Sequence, residues 1–288
     1  MKKHKYKINF LIKPKDKLII KFKIYDLYIE LKALITRLYI QIYRKPYIFL
    51  SGIIQPLLWM ILFGSLFQNA PINLLETYDI KYGEFLSPGI IIFTTFTGSI
   101  NSGLTIIFDR EFGFLNKLLI SPIKYKITFL LSLIFYIWIL TNLQIFTIIT
   151  FSIHLFNHII NITIIKTILY ITTLIIINIA SISIYIAFIL PGHIEFLAFI
   201  FLINLPTLFC STALAPLSFM PYWLQIIVSI NPLTYCIEII RNISINNNLN
   251  IIKTLLFTLN INQTICLLIL INFISLIIIN NIVKYKFD

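Results

Sequence analysis

The chain has 288 residues, 59% of them hydrophobic and 12% charged, with a mean hydropathy of +0.93 and a formal net charge of +12. Soluble domains carry about 25% charged residues, so this composition cannot make a water-facing surface, and hydrocarbon admits only spanning helices or a closed barrel. Apolar runs of helix length decide for helices, which predicts an all-α integral membrane protein.

Residues 1–46 form a basic arm with 13 of the 23 Lys and Arg residues. Such an arm can sit on anionic lipid or bind nucleic acid. Its place just before a spanning run favours membrane lipid and no nucleic acid. Within the arm, Asp26, Glu30, Arg37, Gln41 and Arg44 recur at separations of 4, 7, 4 and 3, which stacks them in one stripe of a 3.6-residue helix. Leu27, Ile29, Leu31, Leu34, Ile35, Leu38, Tyr39 and Ile42 occupy the other faces. The reading is an interfacial helix lying along the membrane and closed by Pro46. A soluble amphipathic helix docked on a partner is the alternative.

Residues 47–288 read as one transmembrane domain. Stretches of about 20 apolar residues suffice to cross, and six qualify: Tyr47 to Phe67, Phe85 to Phe108, Ile127 to Phe151, Thr167 to Leu190, Phe196 to Leu214 and Ile261 to Val283. With both termini inside, nineteen Lys and Arg residues fall on the inner side and four on the outer, which fixes the expected orientation. The spans hold almost no ionisable groups, which argues against a proton pump or a respiratory channel subunit.

Between the fifth and sixth spans, Pro216, Pro221 and Pro232 interrupt the apolar sequence, and Glu238 with Arg241 makes its end polar. This predicts a re-entrant or interfacial hairpin on the outer face, with Tyr222 and Trp223 at the interface. A plain external loop is the alternative.

Motifs for chemistry are sparse. Cys210, Cys236 and Cys266 show no metal or CxxC spacing and read as packing residues. His154 and His158 share a helix face but lack a third ligand, so no metal site is expected. The run from Gly98 to Gly103 has the glycine spacing of a phosphate loop and Thr105 fits its Ser or Thr position, yet Leu104 stands where Lys is required. No nucleotide cofactor is therefore expected in this chain, nor any enzyme activity. Met1 to Phe10 has no small-residue cleavage site and no Arg- and Ser-rich presequence, which predicts synthesis in the compartment where the protein works. The heavy use of Ile, Asn, Lys, Phe and Tyr points to an AT-rich genome such as that of an organelle.

Three stretches are more specific in combination. Arg44 to Phe67 carries Pro46 and then Gln55-Pro56 within a span. Phe108 to Ile123 ends a span with the acid-base-acid triplet Asp109, Arg110, Glu111 and opens a short amphipathic helix stopped by Ser121-Pro122. Leu214 to Arg241 has Asn231-Pro232-Leu233-Thr234-Tyr235 at its core.

In this order between spans, they resemble the ABC type-2 permeases, the membrane subunits of bacterial and organellar exporters. The similarity runs from about Tyr28 to Lys286. The family pattern DRExGxLExLLxSPI looks like Asp109, Arg110, Glu111, Gly113, Leu115, Leu118, Leu119, Ser121, Pro122 and Ile123, with departures at Phe112, Phe114 and Asn116. Composition makes the chain look most like the permease encoded in some algal plastid genomes.

The resemblance implies a second permease copy, paired as a homodimer or with a relative, and ATP-binding-cassette ATPase subunits that bind the ATP on the inner face. The ATPase-coupling element would be Asp109 to Pro122, with Phe114, Leu115, Leu118 and Leu119 pressed into a groove of the ATPase, and a solvated loop is the alternative. The interfacial helix, with Glu30, Arg37, Arg44 and Pro46, would be a second lever. Pro221, Asn231, Pro232 and Tyr235 would shape the outer hairpin. The expected place is a plastid membrane with both termini on the stromal or cytoplasmic side. A membrane-protein assembly or insertion factor without transport activity is the rival reading.

Overall fold

The computed structural model describes residues 24–67, 82–120, 126–156, 161–245 and 251–287. The chain is a helical integral membrane protein. The amphipathic pattern of the arm becomes α1 (Ile24–Arg44), and Pro46, whose missing N–H is no loss at a first helical turn, opens α2 (Pro46–Leu66). Then follow α3 (Tyr82–Ile100), α4 (Ser102–Glu111), the short α5 (Phe114–Ile120), α6 (Lys126–Phe156), α7 (Ile162–Ile189) and α8 (His193–Phe209). A hairpin of α9 (Tyr222–Ile230) and α10 (Pro232–Ile245), a two-stranded ribbon of β1 (Ile251–Lys253) and β2 (Thr258–Asn260), and α11 (Ile261–Phe287) complete it. The ribbon, with Ile252 opposite Leu259, was not foreseen from the sequence.

Five stretches of the described residues are long and apolar enough to cross a membrane: Phe49–Leu66, Tyr82–Glu111, Thr128–Phe156, Ile162–Ile189 and Ile261–Asn281. The expected span from Phe196 to Leu214 is shorter than its apolar sequence. Its helix has 17 residues, about 25 Å at 1.5 Å per residue, against a hydrocarbon core of about 30 Å. Helical bonding stops at Cys210, and the open carbonyls there are capped: Asn231 Nδ2 donates to the Cys210 carbonyl at 2.7 Å and Ser211 Oγ to the Leu208 carbonyl.

The α3 helix is the axis of the bundle, with 16 of its 19 residues buried, and α2, α6, α7 and α10 pack on it. Its serine and threonine hydroxyls reach its own carbonyls, Thr94 to Ile90 at 2.7 Å and Ser99 to Thr95 at 2.6 Å, so none of these buried O–H groups is left for hydrocarbon. Gly98 lets α6 close in, since a Cβ there would lie 2.5 Å from Thr141 Cγ2. The α3–α4 helix breaks at Asn101, and α7 repairs it: Ser183 Oγ donates to the Ile100 carbonyl and accepts from the Gly103 N–H. α1 lies along α6 and α11 along α7.

Candidate functional site

The acid-base-acid triplet closes α4. The last turn of that helix ends on Phe112, whose N–H reaches the Phe108 carbonyl at 2.9 Å, and Gly113 then takes φ +70°. That left-handed conformation suits glycine, which lets α5 start in a new direction.

The three charged side chains leave this one turn for three different helices. Asp109 Oδ2 accepts from Arg37 Nη2 of α1 at 2.7 Å, and the same guanidinium sits 4.0 Å above the ring of Phe114 in α5. Arg110 donates to the carbonyls of Ala187, Leu190 and Pro191 at 3.2, 2.6 and 2.7 Å. These are open carbonyls at the end of α7, where a cation also meets the negative end of the helix dipole. Glu111 accepts the His193 N–H at 2.8 Å and meets His193 Nδ1 at 2.7 Å, placing an anion on the positive end of α8. One turn of chain thus ties α1, α5, α7 and α8 together.

This changes the reading of the coupling element. Leu115 and Leu118 are buried in the chain's own core and Phe114 packs against it, so this side of α5 is not free for a partner groove. The exposed apolar side chains are Phe112 at 75% and Ile120 at 86%, with Asn116 and Lys117 exposed between them. Ser121 and Pro122 lie outside the described residues, as does the side chain of Leu119.

The polar stripe of α1 also turns inward. Glu30 Oε2 accepts from Thr128 of α6 at 3.3 Å and Arg37 holds Asp109, whereas Tyr25, Tyr28, Ile29, Tyr39, Ile40 and Tyr43 are exposed. Tyrosine rings have an apolar body and a wet tip, so this uncovered face has the amphipathic make-up that suits a membrane interface. Arg44 is exposed beside Pro46.

At the other end of the α3–α4 span, α9 and α10 meet at 86°. Asn231 makes the corner: its Oδ1 accepts the Leu233 N–H at 3.0 Å, capping α10, and Pro232 takes the first helical position. Thr234 Oγ1 and Tyr235 Oη donate to the Val228 and Ser229 carbonyls at 2.8 and 2.6 Å, covering the open end of α9. Pro221 precedes α9 in extended conformation.

Glu238 and Arg241, expected to make a polar end, are buried at 7% and 0% exposure. Arg241 pairs with Glu238, donates to the carbonyls of Phe85 and Thr212 at 3.2 and 2.8 Å, and lies 3.7 Å from the centre of the Phe85 ring. Their spacing of three residues on a helix was the available signal.

The charged turn after a span and the bent hairpin at the far end fall in two of the stretches that carried the sequence resemblance. Residues 29–245 match the family described as ABC-2 type transporter. The chain belongs to this family. It is 46% identical over 279 residues to the "Putative transport permease ycf38" of Pyropia yezoensis, covering 94% of this chain and 96% of that one. Proteins of the same name in Porphyra purpurea and Cyanophora paradoxa are 44% identical over 268 and 262 residues, covering 92% and 90% of each chain.

As an ABC-2 transport permease, the chain brings together two sets of residues that the sequence had kept apart. Arg37 of the amphipathic helix joins the triplet, and Asn231 joins the end of α8. Arg44 and Pro46 stay outside both groups.

Proposed function

We propose that this chain is the membrane half of an ATP-driven exporter, in which two permease copies work with two ATP-binding-cassette subunits that bind and hydrolyse the ATP. The observation that carries this reading is the splayed triplet. Asp109, Arg110 and Glu111 bond to α1, α7 and α8 from one turn, so a displacement of α5 by a partner is passed to three helices at once. The docking surface is then the exposed rim of that turn, Phe112, Asn116, Lys117 and Ile120, because Leu115 and Leu118 are already occupied. Rigid tilting of the tied helices while the ATPases close and open supplies alternating access.

The triplet end and both termini face the stroma or cytoplasm, as the excess of Lys and Arg on that side supports. A plastid membrane is the place of action, supported by the AT-rich composition and by the relatives in Pyropia, Porphyra and Cyanophora.

Co-purification tests the reading. The tagged chain should bring down an ATPase with a phosphate loop, and Phe112→Asp or Ile120→Asp should release it while the permease still accumulates in the membrane. Recovery of substrate-like membrane proteins with no ATPase would make the chain an assembly factor instead.

A further inference from the structure

The two-stranded ribbon is fixed to the bundle by one face. Ile252 is buried in the core and Leu259, opposite it in register, packs against that core, while Thr258 and Asn260 are exposed, the alternation of a strand with one covered side. The turn between the strands departs from that economy. Thr254 Oγ1 donates to the Phe257 carbonyl at 2.8 Å and accepts the Phe257 N–H at 3.1 Å, and the Thr254 N–H donates to the same carbonyl at 2.9 Å. Three bonds thus close a turn that leaves Leu255, Leu256 and Phe257 exposed. Turns that face water are built from Gly, Pro, Asn, Asp and Ser, and this one contains none of them.

Two separate measures put this turn at the bilayer boundary far from the charged triplet. The α8 helix starts at His193, bound to Glu111, and runs 17 residues, about 25 Å, to Cys210, whose carbonyl Asn231 holds. Tyr235 stands one turn, about 6 Å, beyond Asn231, and its Oη is 3.4 Å from Thr254 Oγ1. Charged groups stay at the surface of a hydrocarbon core about 30 Å thick, so Thr254 lies near the opposite surface. From the other direction, β2 leads straight into α11, whose spanning stretch begins at Ile261. The uncharged sequence begins earlier: residues 254–283 contain no Asp, Glu, Lys, Arg or His, which brings the turn into the same run. On α9, which packs on α10 as β1 does, Tyr222 and Trp223 are exposed, the ring types that collect at such a boundary.

We propose that the turn of the ribbon is a lipid anchor: Leu255, Leu256 and Phe257 enter the headgroup and upper acyl region of the leaflet far from the triplet, and Thr254, against Tyr235, holds the α9–α10 corner at that surface. The inference is independent of the ATPase reading. A protein occupant is disfavoured by size, since a specific interface takes about 800 Å² from each partner and three side chains offer a small part of that. Insertion into lipid gains with each apolar side chain buried and needs no matching surface. The absence of charge on the turn means that neutral lipid suffices.

The test uses the full chain in vesicles of phosphatidylcholine, with Cys210 and Cys266 changed to Ser and a nitroxide attached at Leu256→Cys. Collisions with oxygen, which concentrates in lipid, and with a nickel chelate, which stays in water, read the depth of the probe. Phe273→Cys on the apolar span of α11 and Asn116→Cys on α5, both exposed, are the lipid and water references. The nitroxide at Leu256→Cys should remain mobile and meet the chelate several-fold less often than at Asn116→Cys. With Leu255→Asp and Leu256→Asp together, a nitroxide at Ile230→Cys, exposed beside the corner, should become more mobile.

Chelate access equal to that at Asn116→Cys would put the turn in water and overturn the anchor. An immobilised probe that neither collider reaches would mean a protein occupant instead, and spin–spin broadening that disappears on dilution with unlabelled chain would identify it as a second copy. An unchanged spectrum at Ile230→Cys would overturn the hold on the corner. Should Leu256→Cys fail to accumulate, Leu255→Cys and Phe257→Cys decide the depth, and Leu255→Ser with Leu256→Ser replaces the Asp pair if that pair does not fold.

Discussion

Arg37 holds the carboxylate of Asp109 and the face of Phe114 with one guanidinium. The pair is partly sheltered, with side chains 24% and 9% exposed, so its net worth is that of a charge-assisted hydrogen bond, about 1–3 kcal/mol. Arg37→Gln and Asp109→Asn should each lower the unfolding midpoint and ATP-coupled transport. In a double-mutant cycle the second change should add little, and full additivity would show that the contact couples nothing.

Arg241 is a different case because it has no water at all. Arg241→Met strands the Glu238 carboxylate in the interior and should destabilise the solubilised protein by about 3–5 kcal/mol, whereas Arg241→Met with Glu238→Gln should recover most of that loss. An Arg241→Met variant as stable as the parent, read by thermal unfolding in detergent, would exclude the buried clamp.

Among the elements, the turn between α4 and α5 rests on Gly113 alone. A Cβ there would touch nothing within 4 Å, so any penalty is one of backbone conformation. Gly113→Ala should cost about 1–2 kcal/mol and Gly113→Asn less, since asparagine enters the left-handed region more readily. The expected readout is ATPase stimulation that falls in the order Gly, Asn, Ala. Equal stimulation by the alanine variant would mean that the direction of α5 does not matter.

The same element shows what sequence could and could not tell. The spans were legible because hydrocarbon length is written in uninterrupted apolar runs, and the hairpin because prolines punctuate it. The inward side of α5 was not: Phe114, Leu115, Leu118, Leu119 and Ile120 leave almost no polar face in seven residues, so periodicity cannot say which leucines meet the bundle. The end of α8 was hidden likewise, since the apolar run continues to Leu214 and the residue that caps the helix end, Asn231, is about twenty positions on in another element. The inward turn of Arg37 depended on Asp109, 72 positions away, and that of Arg241, though its pairing with Glu238 three residues before it was local, on the Phe85 carbonyl 156 positions away, which no local pattern contains.

For the whole molecule, the two most exposed long helices have different surfaces. Only 22% of the spanning window of α11 is buried, and its outward residues Leu270, Phe273, Ile274 and Ile277 are apolar throughout, a surface made for lipid tails. Only 17% of the α2 window is buried, yet its open groove mixes Leu58, Trp59 and Leu62 with Ser51, Gln55 and Ser65. A helix that shows polar side chains to lipid gains nothing from the tails, whereas small and polar residues are what helix–helix contacts in membranes use.

The second copy of the chain is therefore expected along α2, with α11 left to the bilayer. In membranes, Leu58→Cys should form an oxidant-induced dimer band and Phe273→Cys should not, with Cys210 and Cys266 replaced by Ser in both. If Phe273→Cys cross-links and Leu58→Cys does not, the copies meet through α11, and the groove on α2 must then be read as an opening to lipid.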